Sequence, residues 1–359
     1  LLGGGGRAGL EHVDVLIAVV DSLRTRALEV ASGRALIIAD ECHRYGSEWN
    51  AACLNEAFTW RLGLSATYAR SDNGHLAFLE PFFGSVCFRV GYQRALADDI
   101  VAHFRLALVG VDFATNDERT AYEEARERAG KQRWELINWH GVPEEPFGKF
   151  LQQVQELSAG GHDRATLSAR AYLQAFAEMR RLLAESDAKF GALRLLAQAV
   201  RDARGTIIFT QTVEGASAAA STLQRCGVSA AIVHSKLRRS ERHEALGRFS
   251  RREVQALVAP KVLDEGIDVP EADLAIIVAA SRTRRQMIQR MGRVLRKKSD
   301  GRDARFAVLY VRGTTEDPAG GAHADFLEEI MEVADDCRAF VIDAQPRACV
   351  EYLRPQVPW

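Results

Sequence analysis

The stretch Ala35-Leu-Ile-Ile-Ala-Asp-Glu-Cys-His43 constrains this chain most: an apolar run that stops abruptly in two carboxylates and a histidine. A continuous apolar run of this kind predicts a strand buried on both faces of a parallel sheet. In open α/β sheets ligands bind just beyond the C-terminal ends of the strands, which is where Asp40 and Glu41 fall. Asp40 can hold Mg²⁺ through oxygen, with Glu41 as the second candidate metal-site carboxylate. Glu41 can also orient and deprotonate an attacking water. The same letters suit a strand that merely ends in a polar turn, and short motifs match by chance, so the rest of the chain must decide.

The bulk numbers set the frame. A chain of 359 residues has room for two or three domains, and 47% hydrophobic with 26% charged residues describes a soluble globular protein. Net charge is −1, so any nucleic-acid surface has to come from local patches. The six cysteines are scattered without a C-x-x-C pair, which argues against zinc, an iron–sulfur cluster or a disulfide framework. Together these place the chain in a reducing, cytoplasmic compartment. No apolar run approaches about 18 residues, so no membrane span is expected, and no signal peptide is visible. The chain opens on Leu1 and enters Gly3–Gly6 with no preceding element, which predicts a fragment whose first lobe is truncated at its N-terminus.

Along the chain, Val13–Val20 reads as a buried strand and Asp21-Ser22 as the start of a helix. Phe58–Leu64 reads as a strand ending in Ser65-Ala-Thr67, and Arg105–Val111 as the strand that closes the first lobe. Strand signals then vanish over 115–188, where Glu, Arg, Gln and Ala dominate; this predicts a helical insert joining two lobes. A second strand–helix alternation runs from 189 to 318, with strands at 205–210, 230–234, 254–259, 274–279 and 306–311. Residues 319–359 read as a C-terminal helix, 324–334, and a tail. Alternating strands and helices imply parallel, doubly wound sheets, so the fold class is α/β with the first lobe at 1–114.

Two later segments carry charge in an unusual pattern. In Gln286-Met-Ile-Gln-Arg-Met-Gly-Arg-Val-Leu-Arg296, residues Gln289, Arg293 and Arg296 fall on one helical face. Gly292 lets another backbone or a phosphate approach closely. Between Ser281 and Lys298 there are eight basic residues and no acidic one, which suggests an anionic partner. Asp264-Glu-Gly-Ile-Asp268-Val-Pro270, alone, is only a turn between strands.

The order of these motifs carries more than any one of them. Asp-Glu-x-His, Ser-Ala-Thr, Asp-Glu-Gly-Ile-Asp-Val-Pro and Gln-x-x-Gln-Arg-x-Gly-Arg-x-x-Arg resemble motifs II, III, V and VI of the superfamily-two helicases. The runs Leu64–Asp72, Gly292–Gly301 and Val308–Asp317 narrow the resemblance to the XPB-like, type-III-restriction-like branch of the DEAD/DEAH-box proteins. The resemblance covers nearly the whole chain apart from the helical insert. It implies two RecA-like lobes that hydrolyse ATP with Mg²⁺ and move along nucleic acid, double-stranded DNA in this branch. By the same resemblance Asp40 holds Mg²⁺ and Glu41 acts on the hydrolytic water. His43, Ser65 and Thr67 couple nucleotide state to strand binding, and Ser22 is a further phosphate contact on the nucleic acid. Gly266 and Asp268 belong to the nucleotide side, Asp268 at the ribose; Gln289 faces the phosphates, and Arg293 and Arg296 are arginine fingers. A guanidinium positioned on a γ-phosphoryl group is worth roughly a thousandfold or more in rate.

There are departures. No G-x-x-x-x-G-K-[ST] occurs in the chain, and Gly3–Gly6 is followed by Arg7-Ala-Gly, with no lysine or hydroxyl in place. The expectation is a helicase or translocase represented without its Walker A segment and inactive on its own. Val19 and Pro260 stand where the family pattern often has a hydroxyl residue, and proline removes a backbone donor. Two alternatives stay open: a nucleic-acid-binding scaffold that never hydrolyses ATP, and the motor subunit of a restriction system.

Overall fold

A computed structural model describes residues 2–3, 6–7, 13–25, 35–66, 68–70, 72–260, 272–279, 292, 294–295, 298, 300–321, 327 and 330–355. The chain divides into two units, Leu1–Arg89 and Val90–Trp359.

The first unit contains α1 (Val20–Thr25) and two parallel strands, β1 (Leu36–Ala39) and β2 (Trp60–Gly63), in register Leu36↔Trp60 to Ala39↔Gly63. A small core of Ala39, Cys42, Tyr45, Cys53 and Leu79 lies under the turn that follows β1. The strand expected at Val13–Val20 is a single bridge at Ala18, and the helix begins at Val20. Val15, Ile17 and Val19 are exposed, so among the described residues this β-branched run has no ladder beyond that bridge and little cover.

The second unit is built on β3 (Phe104–Val111), β4 (Thr206–Thr210), β5 (Ala230–Ile232), β6 (Ala256–Pro260), β7 (Leu274–Ile277), β8 (Ala304–Val311) and β9 (Asp336–Val341). They form one seven-stranded sheet in the order β9-β3-β8-β7-β4-β6-β5, every pair parallel. The expected parallel α/β class is thus present. Side chains alternate between two cores. Ala107, Val109 and Val111 of β3 face one, and Phe104, Leu106 and Leu108 the other.

The strand predicted to close the first lobe therefore belongs to the second unit. All eight residues of β3 are buried, and both its edges are paired, with β8 from Phe104↔Ala304 to Val111↔Val311 and with β9. Its letters call for burial but carry no label for which sheet supplies it, and the break between units falls after Arg89 rather than at 114. The presumed tail is also part of this unit. β9 reads poorly because it is an edge strand with the polar residues Asp336 and Arg338 in it, and a short helix, Pro346–Tyr352, follows it.

The helical insert likewise lies inside the second unit instead of linking two lobes. It comprises α2 (Asn116–His140), α3 (Phe147–Ser158) and α4 (Arg164–Ala184), followed by α5 (Asp187–Leu195). The Thr115 hydroxyl accepts the Glu118 N–H to cap α2, two acids occupy its first turn, and Gly141 in the left-handed region ends it. Tyr122, Ala125, Ala129 and Leu136 form its buried stripe and share a core with Val109 and Val111. Lys189 on α5, fully buried, pairs with Glu316 beyond β8 at 2.5 Å and ties the end of the insert to the sheet. Among the described residues no helix is long and apolar enough to cross a membrane.

Candidate active site

The turn after β1 is the chemically richest place in the first unit. β1 ends at buried Ala39, and Glu41 sits in the left-handed region at φ 50°, ψ 47°. A residue with a Cβ pays on the order of 1–2 kcal/mol there, so other contacts must hold it. Asp40 Oδ1 accepts the Glu41 N–H at 3.0 Å. The Cys42 N–H donates to the Leu64 carbonyl at 2.8 Å, and the Leu64 N–H to the Ala39 carbonyl at 2.9 Å, which locks the turn to the end of β2.

That lock brings His43 and Ser65 together. His43 is fully buried; its Nδ1 lies 2.8 Å from Ser65 Oγ and 3.1 Å from Glu41 Oε2. One ring nitrogen thus faces both the carboxylate that can act as a base and a hydroxyl on the next strand end. A proton on Nδ1 can be given to either, so a change at Glu41 is felt at Ser65.

A second layer fixes the turn from behind. Arg70 Nη1 donates to the His43 carbonyl at 2.8 Å, while its Nε and Nη2 hold both oxygens of Asp72 at 2.8 and 2.5 Å. Asp72 Oδ1 also accepts the Gly74 N–H at 3.0 Å. The Arg70 hydrogen bonds hold the Asp72 carboxyl down at about 2. Gly74 is required by close approach, since a Cβ there would stand 1.7 Å from the Gly46 carbonyl oxygen. Sequence reasoning gave Arg70 and Asp72 no role; the signal available was the R-x-D spacing just beyond Ser65-Ala-Thr67.

Of the predicted site residues, Asp40, Glu41, His43 and Ser65 are brought together. Ser22 stands in the first turn of α1, whose Arg24 reaches Asn50 Oδ1 at 3.2 Å. Thr67, Gly266, Asp268, Gln289, Arg293 and Arg296 lie outside the described residues. Their neighbours Val294 and Leu295 are fully buried in the second unit's core, and the Leu295 carbonyl accepts the Ala102 N–H at 2.7 Å.

Among the described residues no three His, Cys, Asp or Glu side chains are grouped to hold a metal ion. Exposed Asp40 is a single hard oxygen donor, which fits Mg²⁺, an ion that keeps several waters and takes its other ligands from phosphates.

Residues 189–298 match the helicase conserved C-terminal domain. The chain is 30% identical over 314 residues, 87% of its length, to DNA 3'-5' translocase XPB2 of Sulfurisphaera tokodaii, and spans 66% of that protein. It is also 30% identical over 173 residues to the putative DNA 3'-5' helicase Rad25 of Haloarcula marismortui, spanning 48% of this chain and 24% of that protein. The structure of S. cerevisiae Dbp5 bound to RNA and ADP BeF3 matches 93% of this chain and 66% of its own at TM-score 0.53 and 13% identity, a likeness of fold alone. The acidic turn, its histidine–serine link and these matches agree: the chain belongs to the superfamily-two helicases, and within them it is XPB-like.

Proposed function

We propose that the chain is the motor portion of an ATP-dependent DNA helicase or translocase. The observation that carries this reading is the turn in which Asp40, Glu41, His43 and Ser65 are interlocked. Asp40 is the carboxylate for Mg²⁺, which when bound neutralises charge on the phosphoryl oxygens. Glu41 orients the attacking water and accepts its proton. His43 links that proton acceptor to Ser65, and Ser65, Thr67 and Ser22 pass the nucleotide state to nucleic acid. By the family resemblance Gly266 and Asp268 serve the nucleotide side and Gln289 the phosphates. Arg293 and Arg296 supply the charge that meets the transition state. The XPB2 likeness favours DNA as the partner; the family resemblance implies double-stranded DNA, contacted chiefly at its phosphates.

One observation favours the scaffold reading instead: the 359 residues contain no G-x-x-x-x-G-K-[ST]. Such a loop supplies the backbone N–H groups and lysine that cradle β- and γ-phosphates. The chain as it stands should therefore bind DNA weakly and hydrolyse no ATP. The binding should weaken steeply between low and high salt, because the basic 282–298 segment releases counterions. Fused to a phosphate-binding loop, it should gain DNA-stimulated hydrolysis that Asp40→Ala abolishes. A fusion that binds ATP and DNA but never turns over would establish the scaffold.

A further inference from the structure

The helical insert carries a surface that the motor reading leaves unused. α2 leaves the C-terminal end of β3 and α4 returns to the same place, where the Asp187 N–H donates to Glu118 at 3.2 Å. At 1.5 Å of rise per residue, the far end of this pair lies about 30 Å from that base. There Trp134 and Trp139, 54% and 51% exposed, meet edge to face with ring centroids 5.4 Å apart. Arg164, the first residue of α4, lays its guanidinium 4.7 Å from the Trp139 ring centre. Lys131 lies one turn before Trp134 on the same face of α2.

Packing does not account for these indoles. The interior of the insert is filled by Phe150, Tyr172, Phe176 and Leu136, and both tryptophans stay in water. Arg164 is held against the Trp139 ring, but neither cation beside the indoles is neutralised by an acid. Among the described residues neither Lys131 nor Arg164 has a carboxylate partner, whereas nearby Arg128 is paired with Glu178 and Arg133 with Glu144. Glu135, one turn after Lys131 on that face, accepts the Ser168 hydroxyl at 3.0 Å, and Glu127 lies one turn closer to the base.

We propose that Trp134 and Trp139, with Lys131 and Arg164, form a binding surface for single-stranded nucleic acid, in which unpaired bases stack on the indoles and the cations meet phosphates. Flat π-faces interleaved with unpaired cations match a strand whose bases are free to stack. A duplex keeps its base faces buried and offers phosphates alone. An apolar protein helix would ask for aliphatic ridges, and Leu167 is the one exposed large aliphatic on this part of α4. The proposal rests on the reading of the chain as a nucleic-acid motor and adds to it a contact specific for the separated strand.

The test uses the full chain and its tryptophan fluorescence, titrated at low salt with oligothymidylate, an abasic oligonucleotide of equal length and a blunt duplex. Oligothymidylate should quench strongly and the other two weakly. Trp134→Ala and Trp139→Ala should each weaken oligothymidylate binding on the order of tenfold and leave duplex binding unchanged. Trp134→Phe, which keeps a ring, should recover part of the loss, and circular dichroism confirms that each variant folds. Equal quenching by the abasic strand, or unchanged oligothymidylate affinity in the alanine variants, overturns the proposal while salt-dependent duplex binding keeps the motor reading. Self-association of the chain that Trp134→Ala abolishes, without oligothymidylate binding, identifies the surface as a protein contact and also overturns it. Loss of salt-dependent binding to all three probes removes the motor reading with it.

Discussion

β1 and β3 have almost interchangeable letters and very different surroundings. Every residue of β3 is buried between partner strands and under helices. β1 has one partner among the described residues, and Leu36 and Ile38 on it are 54% and 57% exposed. The second unit is thus held by burial. In the first unit the acidic turn is held by named hydrogen bonds, those of Arg70, Asp72, Ser65 and the Leu64 backbone. Order at a functional turn can come from either source, and the two respond to different perturbations.

Truncation of the sheet cores should separate them most clearly. Phe306→Ala removes a ring that is 1% exposed and packed edge to face on Phe104 at 5.7 Å, and should cost about 3–5 kcal/mol. Ile38→Ala in the first unit should cost within about 0.5 kcal/mol. Urea midpoints decide it; equal costs would mean that β1 is covered as fully as β8. A smaller effect is expected from Arg70→Ala. It strips the donor from the His43 carbonyl and should cost about 1–3 kcal/mol locally. Hydrogen exchange should then speed up in the amides of 42–46 and not in those of β3. Unchanged protection at 42–46 would show that the turn stands without Arg70.

The smallest effect is one of pH. The Asp72 carboxyl is held at about 2, below its unfolded value of about 3.9. Its contribution is therefore complete above about pH 4 and is lost as pH falls toward 2. With Asp72 48% exposed, screening leaves about 0.5 kcal/mol. In the second unit the sign is reversed. The hydrogen bond that His103 donates to the Asp335 carboxylate raises the imidazole above 6.5, so that contribution is present below pH 6.5 and disappears as pH climbs through the raised value. Exchange rates near each pair, followed from pH 2 to 9, should show losses at opposite ends. Asp72→Asn should flatten the acid limb alone, and an acid limb that survives this change would assign it to another group.

Much of this was legible in the sequence. Asp40, Glu41, His43 and Ser65 could be named because the helicase motifs that the chain resembles specify both residue type and chain order. The strand–helix rhythm gave the parallel class. What the letters could not carry was partnership between distant segments. Arg105–Val111 demands burial but does not say in which sheet, so the lobe boundary moved. Val13–Val20 has strand letters and, among the described residues, only a single bridge at Ala18. β9 carries polar residues because, among the described residues, it is the edge strand of its sheet. Arg70 and Asp72 act through a carbonyl, and backbone atoms are invisible in a sequence.

The central claim is that the turn after β1 is the acidic half of an ATP-hydrolysing site. Its most direct test is steady-state ATP hydrolysis with DNA, alongside a separate nucleotide titration, on the loop-fused chain and its Glu41→Gln variant. The amide keeps the shape of the side chain and loses the base. The account predicts unchanged nucleotide binding and a loss of turnover of about 100-fold or more; wild-type turnover in Glu41→Gln would contradict it.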